Sequence, residues 1–150
     1  MPGDAFSLRE PEAYNPFYFC CIVGNKTVVY ISHPVEEDAN VSIQQILDVC
    51  RGIHLYETDT IPIAPYILTI QYLNLEETDE KLKSDQAIYT YFEKKFFDAL
   101  YLCGDHISVE MKEEIKWCLD LEIPIIIWDQ WLQEPYDQFL EAIKQANTIN

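Results

Sequence analysis

Basic side chains are scarce in this chain: 10 Lys and Arg stand against 26 Asp and Glu, a formal net charge of -16. A surface of that sign repels phosphate backbones and anionic bilayers, so neither nucleic acid nor a membrane is an expected partner. Long apolar runs are missing as well, since none approaches the ~20 residues that span a bilayer. The first twelve residues are polar and contain Pro2 and Pro11, unlike a signal peptide. Glycine is sparse, at four residues, and no glycine-rich phosphate loop is present. His54 and His106 have no partners at metal-ligand spacing, so no metal and no cofactor is expected. The five cysteines are odd in number, and most lie inside apolar runs, which suits buried thiols in a reducing compartment. Together these absences make a cytoplasmic protein the expectation.

What is present argues for a packed core. The chain has 150 residues, of which 49% are hydrophobic and 13% aromatic; that is enough for one domain and contradicts the disorder that acidity alone can signal. Met1–Asn15, with Pro2, Gly3 and Pro11, reads as a flexible arm, leaving 16–150 as a single domain. Phe17–Val23 and Thr27–Ser32 are two β-rich runs around Gly24-Asn25-Lys26, so the first is expected as an added edge strand. Glu36-Glu37-Asp38 then precede a 3-to-4 apolar spacing that predicts a helix ending near Tyr56. Thr60–Ala64 reads as a strand interrupted by Pro62, Tyr66–Leu75 as a short helix, Glu76–Asp85 as a charged loop and Ala87–Phe97 as a helix. Ala99–Cys103 and Ile125–Trp128 are strands around a helix opened by Ser108, and Tyr136–Gln145 is a terminal helix. Strands alternating with helices predict a mostly parallel sheet of four to five strands with helices on both faces. The right-handed crossover rule makes 2-1-3-4 the simplest core order.

Loops after the strands of such a sheet line its ligand-binding edge. Glu114 lies within the first two turns of the helix capped by Ser108, on the flank of the apolar stripe Met111, Ile115, Cys118. A half-desolvated carboxylate there can attack a sugar anomeric carbon; otherwise it is a solvated helix Glu beside Glu110 and Glu113. The loop Ser32-His33-Pro34 suits a neutral ring or ribose better than a phosphate, because Glu36, Glu37 and Asp38 follow it. His33 is either an acid-base group or polar surface. In Pro62-Ile63-Ala64-Pro65-Tyr66, the ring of Tyr66 forms either a wall for a planar base or a piece of core. Tyr30 likewise belongs to the core or hangs its hydroxyl into the crevice.

Three segments in order resemble the nucleoside 2-deoxyribosyltransferase-like superfamily, and its phage and bacterial branch most. They are Val28-Val29-Tyr30-Ile31-Ser32-His33-Pro34, Ile61-Pro62-Ile63-Ala64-Pro65-Tyr66, and Asp98 through Gly104-Asp105, Ile107-Ser108, Met111, Glu114-Ile115 and Ile123-Pro124. The resemblance covers about residues 27 to 129. It implies a flavodoxin-like three-layer fold and a crevice for a nucleoside or nucleotide-like small molecule, with Ser32, His33, Pro34, Ala64, Tyr66, Gly104, Ser108, Glu110 and Met111 around the ligand. It also implies that Glu114 is the nucleophile on C1′ and that Tyr30 supports it, with Asp105 the nearest carboxylate for proton work. Relatives share a site residue between subunits, which implies a homo-oligomer.

The departures from the family pattern are specific. Ser108 stands where the transferases carry Asp, no carboxylate stands near Tyr89-Thr90-Tyr91, and Glu110 replaces a Gly. Three functions follow as expectations: a binding protein that sequesters a nucleoside-derived ligand without turnover, an N-glycosidase or transferase using Glu114, and an acidic protein-interaction module.

Overall fold

A computed structural model describes residues 25–149. The expected N-terminal arm and the edge strand at Phe17–Val23 lie outside the described residues. Within them the chain runs β1 (Thr27–Ser32), α1 (Ala39–Tyr56), β2 (Thr60–Ile63), α2 (Tyr66–Tyr72), α3 (Thr78–Glu93), β3 (Ala99–Leu102), α4 (Val109–Leu121), β4 (Ile125–Ile127), a 3-10 turn (Gln130–Leu132) and α5 (Gln133–Thr148). The four strands form one parallel sheet in the order β2-β1-β3-β4, the expected α/β arrangement, consistent with a flavodoxin-like fold. No described helix is long and apolar enough to cross a membrane.

Local chemistry explains the elements. β1 and β3 are the central strands, and they end in the fully buried residues Val29, Tyr30, Ile31 and Ser32 and the buried run Ala99–Leu102. Pro62, which has no N–H to give a ladder, sits in β2 at the sheet edge, where that loss is tolerated. Asp38 caps α1, its carboxylate accepting from the N–H groups of Asn40 and Val41 at 3.1 and 3.4 Å. Ser108 caps α4 as expected, its hydroxyl accepting from Met111 N–H at 3.2 Å.

The expected loop Glu76–Asp85 is a correction: from Thr78 onward it belongs to α3. Its charges support the helix, with Asp79 and Glu80 in the first turn and a Lys81–Asp85 pair at 3.1 Å one turn apart. Ser84, Ile88 and Phe92 form the buried stripe, and Ser84 escapes an apolar count. The same helix ends at Glu93 rather than Phe97, because Lys95 takes a left-handed conformation at φ 50°. The last helix is longer than Tyr136–Gln145, spanning Gln133–Thr148.

The two right-handed crossovers that leave β1 and β3 run in opposite directions, so α1 and α4 lie on opposite faces of the sheet. Strand alternation sends Tyr30 and Ser32 to the α3–α4 face and Val29 and Ile31 to the other. Tyr30 meets the Phe92 ring of α3 at 4.9 Å, Phe97 at 5.1 Å and Tyr66 at 5.8 Å, an aromatic cluster under the carboxyl edge of the sheet.

Candidate functional site

The chain reverses its direction of travel across the sheet between β1 and β3, which creates a switch point at their carboxyl ends. The loops leaving these strands touch through Pro34 and Gly104. Gly104 has φ +103°, and a Cβ there would stand 2.5 Å from Pro34 Cδ, so only glycine allows the approach. Both backbone groups of Gly104 are held from the segment after β4. Its N–H donates to Asp129 Oδ2 at 2.7 Å, and Trp131 Nε1 donates to its carbonyl at 2.7 Å. Sequence reasoning assigned no such role to Asp129 and Trp131; two polar-capable residues two positions apart after a strand carry no signature of a clamp.

Behind this edge, on the α3–α4 face, lies Glu114. It is 7% exposed, and Ser32 Oγ donates to its Oε1 at 2.9 Å. Burial, the dominant influence, and the nearby Glu110 charge raise its pKa, while Tyr30 and Ser32 hold it down; the result is about 7, against an ordinary 4.5. Burial and then the Glu114 charge push the Tyr30 phenol well above its usual value. The Tyr30 hydroxyl nonetheless closes no hydrogen bond of good distance and angle. We read the pair as a near contact, since charge coupling persists at separations and angles where a hydrogen bond does not. A buried hydroxyl without a partner therefore faces a buried carboxylate.

The other expected site residues separate. Tyr66 is buried and spends its hydroxyl on the Ile31 carbonyl at 2.6 Å, so its ring belongs to the core. Ala64 accepts the Ile67 N–H at 3.1 Å as α2 begins. Ser108 is used by its helix, and Met111 is fully buried. Glu110 is exposed in the first turn of α4.

His33, Gly104 and Asp105 share a different space, an open cleft of about 330 Å³ completed by Gln45, Asp48 and Val49 of α1. This cleft lies on the α1 face and is not lined by Glu114. His33 Nδ1 lies 2.8 Å from the Pro34 carbonyl; a carbonyl only accepts, so that nitrogen carries the proton and Nε2 is left free. At the rim, His106 stands between Asp105 at 2.7 Å and Glu36 at 3.4 Å, and its hydrogen bond holds the Asp105 carboxyl below the usual range. His106 has no partners at metal spacing along the chain, whereas the two loops bring these donor atoms within 4.8 Å of one another. All three side chains are exposed, and pairing between histidine and carboxylates accounts for their proximity.

The parallel α/β sheet in the order β2-β1-β3-β4 defines the fold class. A family model described as "Domain of unknown function (DUF7768)" matches residues 27–128, from the first residue of β1 to just beyond β4. The chain belongs to that family. No curated protein and no solved structure matches it.

Proposed function

We propose that this protein binds a nucleoside-type small molecule at the carboxyl edge of its sheet and cleaves the N-glycosidic bond with Glu114 as nucleophile. The observation that carries the reading is the Glu114 carboxylate, buried beside the unpartnered Tyr30 hydroxyl and held at 2.9 Å by Ser32. Burying a carboxylate opposes its ionisation, so a fold that keeps one at the ligand edge marks a functional site more often than a structural one. Its resemblance to the nucleoside 2-deoxyribosyltransferase-like superfamily supports the same assignment: Tyr30, Ser32 and Glu114 come from two of the three matching segments and meet in space.

The chemistry follows from the surroundings. With a pKa of about 7, Glu114 is ionised in about half of the molecules at neutral pH. Desolvation strengthens its attraction to positive charge developing on a sugar ring. Ser32, donating to one oxygen, fixes the carboxylate and leaves the other for attack on C1′.

A second reading is sequestration without turnover. The 7% exposure of Glu114 and a cleft that does not reach it favour this alternative, as does the lack of a carboxylate near Tyr89-Thr90-Tyr91. One experiment separates the two. Wild type and Glu114→Gln are incubated with a panel of nucleosides and nucleotides while free base is followed by chromatography and ligand binding by thermal shift. The enzyme reading expects base release in wild type alone; a stabilising ligand recovered intact from wild type supports sequestration.

A further inference from the structure

The edge of the sheet has a one-sided charge inventory. Residues 33–38, 64–65 and 103–108 contain no Lys and no Arg; Glu110 adds its negative charge beside Glu114, and Glu36, Asp48 and Asp105 stand on the α1 side of the same edge. Lys112, the basic residue of α4 nearest to Glu114 in sequence on its N-terminal side, lies over the Phe139 ring at 5.7 Å, directed toward α5. Nothing in those loops neutralises a phosphate, and several groups attract a cation.

Among the described residues, the surroundings of Glu114 also lack a proton donor of suitable strength. The groups that face it are Ser32 and Tyr30 of β1, Tyr66 of α2, and Glu110 and Cys118 of its own helix. Tyr66 donates its hydroxyl to the Ile31 carbonyl in a hydrogen bond. Both phenols are pushed well above their usual pKa by burial, and the Cys118 thiol to about 12, so each holds its proton more tightly than usual. Glu110 is an exposed carboxylate in the first helical turn. His33 lies on the other face, in the α1 cleft. An ordinary nucleobase leaves poorly from C1′ unless it is protonated; the described groups around Glu114 do not supply that help.

Resting on the glycosidase reading above, we propose that the substrate is an N-glycoside without phosphate whose base already carries a positive charge, as a quaternised pyridine or an N-alkylated purine does. The reaction then balances without a general acid. A Glu114 oxygen bonds to C1′ as the C1′–N bond breaks; the electron pair of that bond goes to the ring nitrogen, cancels its charge and releases a neutral base. Water hydrolyses the glycosyl ester, its hydroxyl remaining on the sugar and its proton passing to solvent. Each turnover therefore liberates one proton. The unpartnered Tyr30 hydroxyl, fully buried and facing the carboxylate, is the independent sign that the Glu114 site is built for a ligand.

The test uses the full chain with matched nucleosides: 7-methylguanosine against guanosine, and nicotinamide riboside as a second cation. Free base is quantified by chromatography, proton release by a pH indicator, and rates are divided by those of spontaneous hydrolysis. The expected result is cleavage of both cations, with 7-methylguanosine favoured over guanosine by about 10²-fold or more after that correction, one proton per nicotinamide released from nicotinamide riboside, and loss of both signals in Glu114→Gln. Ser32→Ala, which leaves the carboxylate in place, lowers the rates without reversing the preference. Equal corrected rates for guanosine and 7-methylguanosine overturn the inference and leave the glycosidase reading standing. Release of no base from any of the three overturns both.

Discussion

Ser32 Oγ donates to Glu114 Oε1 at 2.9 Å across 82 residues of sequence, and both residues are buried. The last residue of a central strand thereby fixes a carboxylate on the helix that follows the neighbouring strand. Ser32→Ala removes a donor that favours the ionised form, so the Glu114 pKa climbs further above 7. A hydrogen bond to a charged group contributes about 1.5 to 3 kcal/mol. The acidic limb of any pH–rate profile, where activity rises as Glu114 ionises, should move to higher pH in this variant, and a limb that stays in place contradicts the role given to Ser32.

Stability should fall as pH rises across the titration of Glu114. Its folded pKa of about 7 exceeds the ordinary 4.5, so the folded state binds the proton more tightly than the unfolded chain does. The stabilising effect of that proton is complete below about pH 4.5 and is lost progressively until about pH 7. Glu114→Gln removes the dependence. In urea melts the variant should match wild type near pH 4 and exceed it near pH 8 by up to about 3 kcal/mol; a gap that does not change with pH would show that Glu114 ionises as it does in water.

Gly104→Ala confronts Pro34 Cδ at 2.5 Å in a backbone conformation of φ +103°. Left-handed strain and the clash with a rigid ring together should destabilise the protein by about 2 kcal/mol or more. A thermal midpoint within a degree of wild type would mean that the two loops separate easily.

Asp129→Ala leaves the Gly104 N–H without its 2.7 Å acceptor. An unsatisfied backbone donor of this kind loses about 1 to 3 kcal/mol. The amide of Gly104 should then exchange with deuterium faster than in wild type, while the amides of β1 and β3 keep their protection.

The parallel sheet and its order were legible because buried runs such as Val29–Ser32 and Ala99–Cys103 alternate with helical spacing, and because handedness leaves few connections. The Ser108 cap was legible for a local reason, a hydroxyl three residues before the N–H that it accepts. The start of α3 was not, because Thr78–Asp85 hides a helix behind surface charge and its buried stripe begins at Ser84. Tyr30, Ser32 and Glu114 meet through strand alternation and a helix register. The same alternation explains why the expected set divides: Ser32 and His33 are adjacent in sequence, but they serve opposite faces of the sheet. The clamp of Asp129 and Trp131 on Gly104 and the grouping of His106 with Glu36 arise only from three-dimensional loop paths, for which no periodicity exists.

Glu114 as nucleophile is tested most directly by mass spectrometry of protein quenched in acid during turnover of a cationic nucleoside. The account predicts a glycosyl adduct on the peptide containing Glu114, absent in Glu114→Gln. Undiminished base release by Glu114→Gln, or an adduct on a different residue, would contradict it.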